Sequence, residues 1–160
     1  IHALADLLGA LEGRPDVPIL VTQHLPAQFM AHYARQVARM TNLPDSVARD
    51  RDVLLPAHVT IAPGDASLSC RRDGERIRIA LTDAHDPHSM ARPSVNLMFD
   101  GMARSFGAGA LGIVLTGIGR DGTAGGQEIV RQGGAILAQD RASSTIWGMP
   151  SSVARCSSRE

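Results

Sequence analysis

The chain has 160 residues, about one domain's worth, and 44% of them are hydrophobic, enough to fill one core. Sixteen Arg and no Lys balance sixteen acidic residues, so the formal net charge is zero; this argues against a nucleic-acid protein, which carries a basic excess on one face, and against a disordered chain. No apolar run reaches the ~18 residues of a membrane span, and Cys70 and Cys156 lie far apart without metal-ligand spacing, which reads as unpaired thiols of a reducing compartment.

Ile1, Leu4, Leu7, Leu8 and Leu11 recur at helical spacing, with Gly13 after them. The chain opens on Ile rather than Met, inside that pattern, so the expectation is one domain over 1–160 that is incomplete at its N-terminus. Pro18–Thr22 is a short apolar run that suits a strand buried on both faces of a parallel sheet. Gln23-His-Leu-Pro26 breaks it, and Gln28–Thr41 forms an amphipathic helix through Phe29, Met30, Tyr33, Val37 and Met40.

The middle changes character. His58–Ala62 reads as a strand that stops at Pro63-Gly64. Ser67–Cys70 and Ile77–Leu81 flank the turn signal Arg71-Arg-Asp-Gly74, predicting an antiparallel hairpin. Thr82–Pro93 is polar and reads as a loop. Ser94 is the N-cap of a helix that runs to Phe106. Leu111–Thr116 is a strand, Gly117–Gly122 a glycine loop, Ala124–Gln132 a helix and Ala135–Ala138 a strand. Strands alternating with helices predict an α/β fold: a doubly wound, mostly parallel sheet with helices on both faces and an inserted hairpin.

In such sheets ligands sit beyond the carboxyl ends of the strands. His24, Asp121 and Asp140 each follow a predicted strand there. A carboxylate that accepts a hydrogen bond from one imidazole nitrogen fixes the tautomer and leaves the other nitrogen as a base, so His24 with Asp121 would supply two parts of a nucleophile–base–acid triad. No serine sits in G-x-S-x-G. Gly117, Gly119 and Gly122 also match the G-x-G-x-x-G dinucleotide fingerprint, with Asp140 near the position of a ribose-binding acid. Against that, Asp121 would oppose a phosphate, and the fingerprint would stand at the end of the sheet. His85, Asp86 and His88 have no further ligand cluster to complete a metal site, and they read as a solvated loop.

Val21-Thr-Gln-His-Leu-Pro26, Ile61-Ala-Pro-Gly-Asp65, Arg92-Pro-Ser-Val95, Val114-Leu-Thr-Gly117, Asp121-Gly122, Ala138-Gln-Asp140, and Ala142-Ser-Ser144 with Gly148-Met-Pro150 together resemble the catalytic domain of the chemotaxis receptor methylesterases, the CheB family. The resemblance implies a cytoplasmic serine hydrolase that removes methyl esters from glutamyl residues of chemoreceptor cytoplasmic domains, releasing methanol, and in some members deamidates receptor glutamines. It places the family's His at His24, its Asp at Asp121 and its oxyanion-binding backbone N–H at Ile118. Its nucleophile lies in a turn before the first helix, upstream of Ile1. Arg92 is the candidate for binding receptor carboxylates through its planar fork, with a surface or structural arginine as the alternative. The resemblance implies no metal, organic cofactor, nucleic acid or membrane insertion. It brings a receiver domain as a partner, and none is present within 1–160. An inactive relative that only binds receptors is the alternative, with dinucleotide binding behind it.

Overall fold

In the computed structural model, which describes residues 2–11, 13, 15–41 and 43–157, the order of elements follows the hydrophobic pattern. Helix α1 spans His2–Gly9, and Ile1, the first position of its predicted stripe, lies outside the described residues. Strand β1 is Ile19–Val21, α2 is Ala27–Thr41, β2 is Asp45–Val47 and β3 is Val59–Ile61. The hairpin is β4, Ser67–Asp73, with β5, Arg76–Thr82. Then come α3 at Val95–Phe106, β6 at Leu111–Val114, α4 at Thr123–Arg131, β7 at Ala135–Ala138 and α5 at Met149–Ser157.

Pairing is parallel outside the hairpin. One sheet has the order β1-β3-β2, with Val21 and Val47 both opposite Ile61. A second joins β6 to β7, with Val114 opposite Ala138. The antiparallel hairpin is longer than the predicted one, because Arg71, Arg72 and Asp73 continue β4 as an exposed charged ribbon paired with Arg76–Arg78.

Two apolar clusters hold these pieces. Val21, Val59 and Ile61 pack with Leu8 of α1 and with Met30, Tyr33 and Val37 of α2. Leu68, Cys70 and Ile79 of the hairpin pack with Met98 and Phe99 of α3, Val114 of β6, Ile129 of α4 and Val153 of α5. The all-buried pattern of β3 is what a strand covered on both faces requires. Burial pushes the Cys70 thiol and the Tyr33 phenol upward, the latter to about 12. No helix among the described residues is long and apolar enough to cross a membrane.

Candidate active site

His24 leaves the end of β1 in a tight turn, in which the Leu25 N–H donates to the Gln23 carbonyl at 2.8 Å. The turn is anchored on both sides. Tyr33 of α2 donates its hydroxyl to Gln23 Oε1 at 3.4 Å, and Thr22 donates to Met98 Sδ of α3 at 3.1 Å. Behind it lies the Pro63-Gly64 corner that follows β3. A Cβ on Gly64 would stand 2.4 Å from both the Ala27 nitrogen and the Leu25 oxygen. Only glycine lets the two backbones lie this close.

Asp121 leaves the end of β6 through the glycine loop. The loop is tied down by Gly117, whose N–H donates to Ile146 O at 3.0 Å and whose carbonyl accepts from Met149 N at 2.9 Å. Gly122 takes φ +91°, a left-handed conformation that turns the chain into α4 at once. The turn aims Asp121 inward, and its side chain is 3% exposed against 31% for His24.

The structure brings these two residues, 97 positions apart, into contact: His24 Nε2 lies 2.8 Å from Asp121 Oδ2. A carboxylate only accepts, so the imidazole proton sits on Nε2 and the Nδ1 lone pair is left open. The same carboxylate closes the N-terminus of α3. Val95 N donates to Oδ2 at 2.8 Å, while Asn96 N at 3.1 Å and Gly122 N at 3.0 Å donate to Oδ1. Val95 and Asn96 belong to the first turn of α3, where N–H groups lack intrahelical partners and the helix dipole favours negative charge, and Gly122 is the N-cap of α4. Ser94 is the predicted N-cap, and its hydroxyl accepts from Leu97 N at 3.3 Å.

The Ile118 side chain is 75% exposed, and its N–H finds no acceptor among the described residues. Arg92 is held within the chain: Nε donates to the Asp65 carbonyl at 2.7 Å, and Nη2 pairs with Asp83. Its side chain is half exposed. Arg120, next to Asp121, is exposed. It lines a cleft of ≈ 550 Å³ with His88, Asn96, Thr123, Gln127 and Arg131.

The other sequence candidates resolve differently. Asp140 is exposed and caps its own turn, accepting from the Ala142 and Ser143 amides and the Ser143 hydroxyl. The Gly122 N–H that the fingerprint would offer to a phosphate is taken by Asp121. Asp86 is not solvated but buried, whereas His85 and His88 are exposed; among the described residues no three His, Cys, Asp or Glu converge on a metal-sized site. The amides of Val95 and Asn96 and the burial of Asp86 went unseen in the sequence. The N-cap at Ser94 was the one signal pointing toward them.

The fold and this pair define an α/β protein with a histidine–carboxylate couple at the ends of two strands from different sheets. A family model described as CheB methylesterase matches residues 1–159, and the chain belongs to that family. A Ralstonia nicotianae protein-glutamate methylesterase/protein-glutamine glutaminase is 41% identical over 150 residues, 93% of this chain and 39% of the relative. A relative of that name from Trichodesmium erythraeum is 39% identical over 153 residues, 96% of this chain and 43% of the relative. The crystal structure of the Thermotoga maritima CheB methylesterase catalytic domain superposes with a TM-score of 0.91 at 28% identity, covering 96% of this chain and 81% of that one. The chain thus spans about two-fifths of the length of these curated relatives.

Proposed function

We propose that this chain is the catalytic portion of a cytoplasmic protein-glutamate methylesterase that hydrolyses glutamyl methyl esters on chemoreceptor cytoplasmic domains. The names of its relatives add glutamine deamidation, which runs through the same acyl chemistry. The observation that carries the reading is the 2.8 Å contact between His24 Nε2 and Asp121 Oδ2 at the strand ends.

The steps follow from that geometry. Nδ1 of His24 takes the proton of a serine hydroxyl as the oxygen attacks the ester carbonyl. The family pattern puts that serine in a turn before the first helix. Asp121 keeps the ring oriented and supports the imidazolium as it forms. The Ile118 N–H donates to the developing oxyanion; a donor of this kind is typically worth about 3–4 kcal/mol. His24 returns the proton to the departing methoxide, methanol leaves, and water activated at Nδ1 releases the glutamate. No step calls on a metal or organic cofactor. Arg92 meets receptor carboxylates with the part of its fork that Asp83 and Asp65 leave open, and Arg120 brings a second guanidinium to the rim. A receiver domain in the remaining length of the protein would regulate access.

Methanol release from methylated receptor by the full-length protein tests this reading. His24→Ala is expected to abolish turnover; turnover at the wild-type rate would overturn the assignment of His24 as base.

A further inference from the structure

Asp86 lies in the polar stretch between β5 and α3, yet it is only 4% exposed. Both of its oxygens are engaged. Oδ1 accepts the His88 N–H at 2.8 Å. Oδ2 accepts the Ser94 hydroxyl at 2.6 Å and the Asn96 side-chain amide at 3.0 Å. Asn96 in turn accepts Gly125 N of α4 at 3.0 Å. Burial works to raise the Asp86 carboxyl, but the hydrogen bonds from Ser94, His88 and Asn96, with the His88 charge, outweigh it and hold it below the usual range. Asp86 therefore sits as a second buried carboxylate beside Asp121, with Ser94 between them.

Ser94 decides how the two carboxylates share the first turn of α3. Its hydroxyl has one proton and two carboxylates within reach: Asp86 Oδ2 at 2.6 Å and Asp121 Oδ1 at 3.3 Å. The shorter contact takes the proton. Asp121 Oδ1 is then left to the Asn96 and Gly122 amides, and Oδ2 to Val95 and His24. Around this network the titratable groups are His88 on the same loop, Asp121 on the glycine loop and His24 beyond it. Ser67 of β4, which accepts Ser94 N at 3.0 Å, is neutral, and the first turn of α3 holds no charge.

We infer that Asp86 is a positioning residue for the His24–Asp121 pair: by claiming the Ser94 proton and clamping Asn96, it fixes the first turn of α3 so that Asp121 stays aligned with the imidazole. The inference rests on His24 being the base, and the test separates the two. Asp86→Ala removes both accepting oxygens. The Asn96 amide is then released, and the Ser94 hydroxyl must turn to Asp121.

The readout is the His24 Nε2–H proton resonance of the 160-residue chain, assigned by its loss in His24→Ala. Asp86→Ala is expected to move this resonance and speed its exchange with water about tenfold or more. Adding Ser94→Ala should bring it back toward the wild-type value, because no hydroxyl is left to turn. In the full-length protein, Asp86→Ala should lower kcat about tenfold with KM unchanged. An unmoved resonance in a folded Asp86→Ala chain, or an unmoved kcat, overturns the inference. If that variant does not fold, Asn96→Ala, which releases the same clamp but keeps the Asn96 backbone amide, must speed the exchange, and unchanged exchange overturns it too. Wild-type turnover by His24→Ala overturns the base reading instead and leaves the resonance test of Asp86 standing.

Discussion

Asp121→Asn separates what the carboxylate does for the fold from what it does for His24. Asp121 accepts His24 Nε2 on Oδ2 and three backbone donors that cannot be turned away: Val95 N on Oδ2, and Asn96 N and Gly122 N on Oδ1. An asparagine offers one accepting oxygen and one donating amide. With its amide in the Oδ1 position, two backbone N–H groups lose their acceptor. With its amide in the Oδ2 position, only Val95 N is stranded, provided that the imidazole gives up its Nε2 proton. The second arrangement is cheaper. A stranded buried donor costs about 1–3 kcal/mol, and losing the charge at the start of α3 adds about 0.3–1 kcal/mol. A total near ~2–3 kcal/mol moves the urea midpoint of the 160-residue chain down by about 1–2 M. The arrangement also switches the tautomer: Nε2 becomes the acceptor and Nδ1 carries the proton. With His24 as the proposed base, the nitrogen meant for the substrate is then protonated, and kcat of the full-length protein is expected to fall by about 10⁴-fold, as for a triad held in the wrong tautomer. Nitrogen chemical shifts of the His24 ring read the switch directly. A folded Asp121→Asn chain that keeps the proton on Nε2, with a stability loss below about 0.5 kcal/mol, would refute the reasoning.

Three other perturbations follow from the same geometry. Gly64→Ala places a methyl 2.4 Å from the backbone of the His24 turn, so the two segments must part by about 1 Å; overpacking of this kind costs about 1–3 kcal/mol, and a 1 Å misplacement costs about 100-fold in kcat, checked by urea unfolding and methanol release. Glu128 accepts from Arg131 and Gln132, which hold its pKa at about 2 against the ordinary 4.5. A lowered carboxyl stabilises the folded state above its unfolded pKa and loses that contribution as pH falls through the folded one. The stability gap between wild type and Glu128→Gln should therefore be present at pH 6 and close between about pH 4.5 and 2 in unfolding curves. Tyr33 has the opposite sign: burial raises it to about 12, so its contribution is intact below pH 10 and is lost as pH climbs toward 12. Thermal melts of Tyr33→Phe should fall less steeply than those of the wild type over that range.

The sequence was most legible where burial sets the pattern. The runs at Pro18–Thr22, His58–Ala62 and Leu111–Thr116 contain β1, β3 and β6 and overshoot them by one or two residues at an end. The run Ala135–Ala138 coincides with β7. Strand β2 was missed because Asp45-Ser-Val47 is short and polar, and only its pairing with β3 makes it a strand. Helix α5 was missed for a similar reason: Met149-Pro-Ser-Ser-Val-Ala-Arg shows Pro and two Ser where a helix pattern shows apolar residues, and it is packing against β7 and α4 that settles it. At the site, His24 and Asp121 were readable because both follow strands. Asp86 was not, since in sequence it stands among His85, Pro87 and His88 like any solvated loop acid. Whether a loop carboxylate is buried depends on which donors the fold brings to it, and Ser94 and Asn96 reach Asp86 only after α3 has docked.

The same bonds that would make His24 a base also close the start of α3 and the turn into α4. Two amides of α3 and one of the glycine loop would be orphans without Asp121, so the site cannot loosen without exposing helix ends. This coupling explains why a buried carboxylate without an Arg partner is tolerated here: its lone pairs are filled by backbone donors that need an acceptor anyway, and the desolvation that normally penalises a lone buried acid is offset by the desolvation those amides would otherwise suffer. The imidazole then occupies a direction that the backbone leaves open. It is carried by the turn after β1 rather than by the core, and a Cβ at Gly64 would meet the backbone of that turn at 2.4 Å. Substitutions on the Asp121 side should therefore cost stability and activity together. Substitutions of the His24 imidazole itself should cost activity with little stability, because the three backbone donors of Asp121 remain satisfied.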